Sequence, residues 1–182
     1  MRLSDYCSNN DCKKDIGYIN LDGENLKFSV DLNNLNTKNI SGKIFLGESE
    51  LNISDSLYEL EGFEIYDNKL LIYMNGGLGN NAADSHDCTT KGYKVLIFDK
   101  NLNELSGLSG YTKTNAFDDF KIENGYLYYY VFITDNKNVN DYTRRYYLTY
   151  KKITFDHLLN REYDKAELIN YSETCYMDEE LR

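Results

Sequence analysis

Short runs of alternating β-branched and aromatic residues, each broken by a two-residue polar turn, recur along this chain. Phe63-Glu64-Ile65-Tyr66-Asp67-Asn68-Lys69-Leu70-Leu71-Ile72-Tyr73-Met74 aligns without a gap on Phe120-Lys121-Ile122-Glu123-Asn124-Gly125-Tyr126-Leu127-Tyr128-Tyr129-Tyr130-Val131, 57 residues later. Each copy predicts a strand, a tight turn and a second strand. Asn-Gly is a strong hairpin signal because both central residues of a type I′ turn need positive φ. A looser copy, Tyr18 to Val30, starts about 45 residues before Phe63 and carries its own turn pair, Asp22-Gly23.

A further apolar run follows each hairpin after a polar connection: Lys43–Leu46, then Tyr93–Phe98, then Tyr146–Tyr150 continuing to Phe155. β-Branched and aromatic residues fit a pleated, half-buried surface. The expected fold is therefore all-β: an antiparallel meander of about three hairpin repeats, closed as a barrel or left as a curved sheet, with one short C-terminal helix. Helical spacing of Leu158, Leu159, Tyr163, Ala166 and Ile169, with Asp156 as N-cap, predicts that helix over 156–170. The whole reads as a single domain: an N-terminal segment 1–16, three β-units over 17–155, the helix, and an acidic tail 171–182 expected to fray.

Composition narrows the class. The chain has 182 residues, 41% of them hydrophobic, with 18 Tyr, 8 Phe, 22 Asn, only 4 Ala, no Trp and no Pro. That is enough apolar material for a folded core, and no run approaches the roughly 18 residues of a membrane helix. The preference for Asn, Lys, Ile, Tyr and Phe over Ala, Pro and Trp matches AT-rich codon usage, which points to a bacterial genome, a phage or a mobile element. Near the N-terminus there is no apolar segment of signal-peptide length, so cytoplasmic is the default location and no membrane association is expected.

The Tyr-rich hairpins, of the form Phe-x-Ile-x-Asn-Gly-x-Leu-Tyr-Tyr with a following Tyr-x-Val-x-Ile-Phe-Asp-x-Asn-Leu, resemble the blades of bacterial β-propeller repeat proteins. The resemblance covers 63–103 and 120–155, about two blades, with 18–53 as a third. It implies a β-meander and carries no activity. A closed propeller takes at least four blades.

Four cysteines stand at 7, 12, 88 and 175. In a reducing compartment they read as free thiols or ligands rather than a disulfide framework. Cys7 and Cys12 with His86 and Cys88 have the donor types for tetrahedral zinc, although the spacing is not that of a knuckle, and buried or loose thiols are the favoured reading. No other cofactor is implied. Asp99-x-Asn101-x-Asn103 has alternate oxygen donors, yet Glu104 stands where a calcium loop needs glycine, so a polar hairpin turn is expected. The long polar stretch Asn75–Gly92 has no Gly-Lys-Ser/Thr phosphate cradle, and its consecutive Ser85, His86 and Asp87 cannot form a triad. With two histidines in unrelated contexts, catalysis is disfavoured.

The formal charge of -10 is unevenly spread: -5 over 1–62, -3 over 63–119, +3 over 120–155 and -5 over 156–182. Such a field draws a protein toward basic clefts. The first functional expectation is thus a non-enzymatic acidic binding protein that neutralises a basic, nucleic-acid-binding protein partner such as a nuclease, in the manner of immunity proteins or anti-defence and anti-CRISPR inhibitors. Glu48, Glu50, Asn80, Asn81, Asp84, Asp118 and Asp119 are its expected contacts. A second reading is direct nucleic-acid binding by a basic aromatic strip, Arg144, Arg145, Tyr146, Tyr147, Lys151 and Lys152, which interleaves cations with rings. A third is an extracytoplasmic β-repeat domain that binds a small ligand.

Overall fold

All three predicted turns close hairpins. In the computed structural model, which describes residues 1–35, 39–55, 57–77, 91–112, 120–134 and 143–178, strand β1 (Cys12–Leu21) turns at Asp22-Gly23 into β2 (Glu24–Asn33). β5 (Glu59–Tyr66) turns at Asp67-Asn68 into β6 (Lys69–Gly77), and β9 (Lys121–Glu123) turns at Asn124-Gly125 into β10 (Tyr126–Thr134). Every one of these six turn residues has positive φ, between 47° and 79°, as a type I′ turn requires.

The apolar run after each hairpin is the third strand of its repeat: β3 (Ile40–Leu46), β7 (Lys91–Phe98) and β11 (Thr143–Thr154). Each repeat then has a fourth strand that its polar sequence concealed, namely β4 (Ser49–Asp55), β8 (Glu104–Thr112) and β12 (Glu167–Asp178). The result is three four-stranded antiparallel meanders in chain order, the second and third joined where Tyr130 of β10 pairs with Tyr111 of β8, and none closed on itself, so the barrel alternative is not realised.

The C-terminal region differs from expectation. The helix expected over 156–170 is reduced to α1 (Phe155–Leu159) and a single 3-10 turn (Tyr163–Lys165), and Glu167–Asp178 is strand rather than fraying tail. Thr154, not Asp156, is the N-cap: its hydroxyl accepts from the His157 N–H at 3.1 Å. Positive φ at Arg161 (59°) stops the helix. Phe155 and Leu158 are buried, whereas Tyr163 and Ile169, which complete the apparent helical stripe in the sequence, are exposed. A helix is stabilised by packing its apolar stripe rather than by spacing alone. Here the chain instead completes the third repeat, with the helix standing where the other repeats have a short turn between strands three and four.

The chain divides into two compact units, one of Met1–Gly77 with Tyr93–Leu108 and one of Leu78–Gly92 with Ser109–Arg182. In the first, β2 and β3 alternate buried and exposed positions, and the facing pairs Phe28↔Leu46 and Val30↔Ile44 lie in the core. Phe28 meets Phe63 edge to face, with ring centroids 4.8 Å apart. Each such side chain withdrawn from water contributes about 1.5–3 kcal/mol. The N-terminal residues join this unit through a one-turn 3-10 helix (Leu3–Asp5) and an antiparallel bridge, Arg2 to Gly62, flanked by reciprocal hydrogen bonds between Met1 and Phe63. The second unit buries Phe120, Leu127, Tyr129, Thr149, Ile153, Phe155 and Leu158.

Gly42 faces Leu32 across β2 and β3 at φ 138°, where an added Cβ would lie 2.2 Å from the Asp31 carbonyl oxygen. Gly125 has open space around it and only its positive φ to lose. Gly42→Ala is therefore expected to cost on the order of 3 kcal/mol or more, through backbone displacement, and Gly125→Ala about 1 kcal/mol. Urea unfolding of both variants checks the difference.

Candidate functional site

The β9–β10–β11 register sorts this part of unit 2 into two chemically different faces. Tyr126, Tyr128 and Tyr130 of β10 oppose Thr154, Lys152 and Tyr150 of β11, and successive side chains of a strand point to opposite sides. The intervening residues Leu127, Tyr129, Thr149 and Ile153 form the buried face, with Leu127 and Thr149 at 0% exposure. Burial raises the Tyr129 hydroxyl pKa, so it stays a phenol.

The outward face is a row of half-buried tyrosines. Tyr128 stacks on Tyr150 with centroids 5.9 Å apart and planes 30° from parallel. Tyr130 tilts onto Tyr150 at 4.6 Å, and Tyr126 onto Tyr128 at 6.5 Å. Lys152 places its ammonium 4.6 Å from the Tyr126 ring centroid while pairing with Glu167 at 3.1 Å. Lys121, opposite Tyr128, pairs with Glu123, opposite Tyr126, at 2.8 Å. The hydrogen bonds and charges of Glu167 and Glu123 raise the pKa of Lys152 and Lys121 respectively. The face is thus aromatic in the middle, with its lysine charges at the rim cancelled by carboxylates.

The strip 144–152 is split by this alternation. Lys152 falls on the parity of the tyrosine row and Lys151 on that of the buried residues Thr149 and Ile153, while the side chains of Arg144, Arg145, Tyr146 and Tyr147 lie outside those described. Sequence reasoning treated the strip as one surface and passed over Tyr126, Tyr128 and Tyr130. Their period-2 spacing directly after an Asn-Gly turn is the signal that places all three on one side of a strand.

The acidic set is less concentrated than its charges suggest. Glu48 lies exposed in the turn between β3 and β4, and Glu50 on β4 is held by Lys43 at 2.6 Å. Asn80, Asn81, Asp84, Asp118 and Asp119 lie outside the described residues. No group of three or more His, Cys, Asp or Glu residues able to hold a metal ion occurs among the described residues.

The cysteine reading is corrected by the structure. Cys7 and Cys12 are joined as a disulfide, so neither sulfur offers the thiolate that zinc requires. His86 and Cys88, the other two donors of the expected set, lie outside the described residues. Cys7 also borders a cavity of about 210 Å³ walled by Leu3, Leu35 and Leu60, with Glu59 and Asn75 at its polar side.

Two polar clusters that draw the eye in sequence or space are structural. Asp99 accepts from the backbone N–H groups of Asn101 and Asn103 and from the Asn103 side chain at 2.8–3.0 Å, which makes the Asp99–Asn103 segment the expected hairpin turn. Asp55 is ion-paired with Lys94, whose ammonium lies 4.4 Å from the Tyr58 ring centroid, and accepts from the Leu57 and Tyr58 N–H groups at 2.8 and 3.0 Å. Burial pushes the Asp55 pKa up, but the bonds from Lys94, Leu57 and Tyr58 outweigh it and hold the carboxyl below its ordinary value.

No protein-family model, curated protein or solved structure matches the chain. Function is therefore to be read from its own chemistry.

Two outcomes follow from these clusters. A carboxyl with a depressed folded-state pKa contributes stability above the unfolded value of about 3.9 and loses it as pH falls through the folded value. Asp55→Asn is expected to destabilise by about 1–3 kcal/mol at neutral pH, with the gap to the parent narrowing below about pH 4 in urea titrations. Mass spectrometry after alkylation without reductant should find Cys7 and Cys12 linked and unmodified, and the purified protein should hold no zinc at them.

Proposed function

We propose that the chain is a non-catalytic binding domain of an oxidising, extracytoplasmic compartment, and that it holds its ligand on the tyrosine face of β10 and β11. The observation that carries this reading is the contact row Tyr126, Tyr128, Tyr150 and Tyr130, half-buried on the side of the sheet opposite a fully buried face. Tyrosine supplies large, rigid contact area with a hydroxyl for orientation, the mix that binding surfaces use. The Cys7–Cys12 disulfide supports the compartment, since such bonds persist where thiols are not kept reduced. No helix of the described residues is long and apolar enough to cross a membrane.

The reading that starts from charge, an acidic inhibitor of a basic protein partner, draws on the net -10 and on exposed Glu48. Direct nucleic-acid binding draws on Lys152 at the tyrosine row and on the cations Arg144 and Arg145 of the same strand, against the field of the whole chain.

A three-member panel separates these readings: an immobilised uncharged polysaccharide, a basic nuclease and single-stranded DNA, each challenged with the parent, with Tyr128→Ala/Tyr150→Ala and with Glu48→Lys/Glu50→Lys. Retention on one member that falls about tenfold with the tyrosine pair alone is the expected result. Retention that responds only to the Glu48/Glu50 pair overturns the assignment of the site to the tyrosine face.

A further inference from the structure

The chemistry of the tyrosine face narrows the ligand, granted that this face is the binding site. We infer that its ligand is an uncharged carbohydrate chain, its sugar rings laid along the tyrosine row. Three observations converge on this class.

The first is shape. Residues i, i+2 and i+4 of a strand stand on one side over about 13 Å, so Tyr126, Tyr128 and Tyr130 line one edge of an elongated floor and Tyr150 extends it laterally between the last two. A row suits a chain of repeating rings better than a single compact molecule. The C–H-bearing face of a pyranose is apolar and slightly positive, and a tyrosine ring presents a negative face to it.

The second is charge. Both described lysines of the face are already engaged, Lys121 with Glu123 and Lys152 with Glu167 and the Tyr126 ring. A polyanion gains affinity by meeting cations and releasing its counterions. Here those cations are offset by carboxylates, and the chain as a whole carries -10. A cationic ligand fares no better, because Lys152 already occupies the face of Tyr126. Neutral ligands pay neither penalty.

The third is hydrogen bonding. Each lysine–glutamate pair sets a donor and an acceptor side by side, at 2.8 and 3.1 Å, next to the rings. Two neighbouring sugar hydroxyls match that arrangement, one donating to the carboxylate and the other accepting from the ammonium. Aromatic stacking beneath and paired polar groups at the rim give the mix of apolar floor and few placed polar groups that small-ligand sites share. An oxidising compartment, which the disulfide indicates, is also where cell-surface and environmental polysaccharides are met.

Titration calorimetry of the full chain with cello-oligosaccharides and N-acetylated chito-oligosaccharides of increasing length tests this inference. Affinity is expected to rise with length until the row is covered, to fall about tenfold in Tyr128→Ala and in Tyr150→Ala, and to fall less in Tyr128→Phe, which keeps the ring. It should also stay constant as salt is raised, since no net charge is neutralised. Thermal melts of each variant show whether the fold is kept, and Tyr128→Phe is the informative variant if the alanine forms unfold. Absence of saturable binding to both series at millimolar concentration overturns the carbohydrate assignment, and DNA or a basic protein still held through Tyr128 and Tyr150 leaves the tyrosine face as the site. Sugar binding that ignores the tyrosine substitutions overturns both.

Discussion

Two consecutive residues at positive φ fix the register of the first hairpin in every repeat, and the rest of each sheet is laid down on that hairpin. Asp22-Gly23, Asp67-Asn68 and Asn124-Gly125 occupy the same place in three successive four-stranded meanders. Because the side-chain period of a strand is 2, a slip of one residue at such a turn would turn each apolar position outward. In the third repeat the same slip would bury Tyr126, Tyr128 and Tyr130 and expose Leu127 and Tyr129. The turn that stabilises the hairpin is thus also the element that decides which tyrosines face solvent.

Strong local chemistry was legible in the sequence, and weak local chemistry was not. The hairpins and third strands were visible because Val, Ile, Tyr and Phe alternate between unmistakable turn pairs. The fourth strands were not: Ser49–Asp55 is mostly polar, with Leu51 and Ile53 half-buried on one side, and its pairing is set by β3 across a two-residue turn. The C-terminal misreading has a related cause. Leu158, Leu159, Tyr163, Ala166 and Ile169 fit a helical stripe on paper, but only Leu158 among them is fully buried. Periodicity was satisfied by residues that serve three different elements.

The candidate site shows the same division. Segment charge singled out the basic, aromatic strip, and one strand of the tyrosine face does lie there. What charge could not show is parity across the pair, which joins Lys152 to Tyr128 and separates it from Lys151. Nor could spacing reveal that Lys152 has a carboxylate partner, because Glu167 belongs to a strand the sequence presented as helix. The disulfide escaped for a simpler reason. Five residues apart, Cys7 and Cys12 read as thiols until the chain between them is seen to reverse and bring their Cα atoms to 5.5 Å.

Open sheets carry a hazard that closed ones avoid, since a free edge is a template for another strand. β1 meets it with Lys13, Lys14 and Asp15 in succession, then a bulge between Asp15 and Gly17 that breaks the regular run of backbone donors and acceptors. On β5, the Arg2–Gly62 bridge covers part of the edge, and Met1 exchanges hydrogen bonds with Phe63. The first two residues therefore act as a cover strip over backbone that would otherwise recruit a second molecule. Any extension or trimming there bears on self-association as much as on folding.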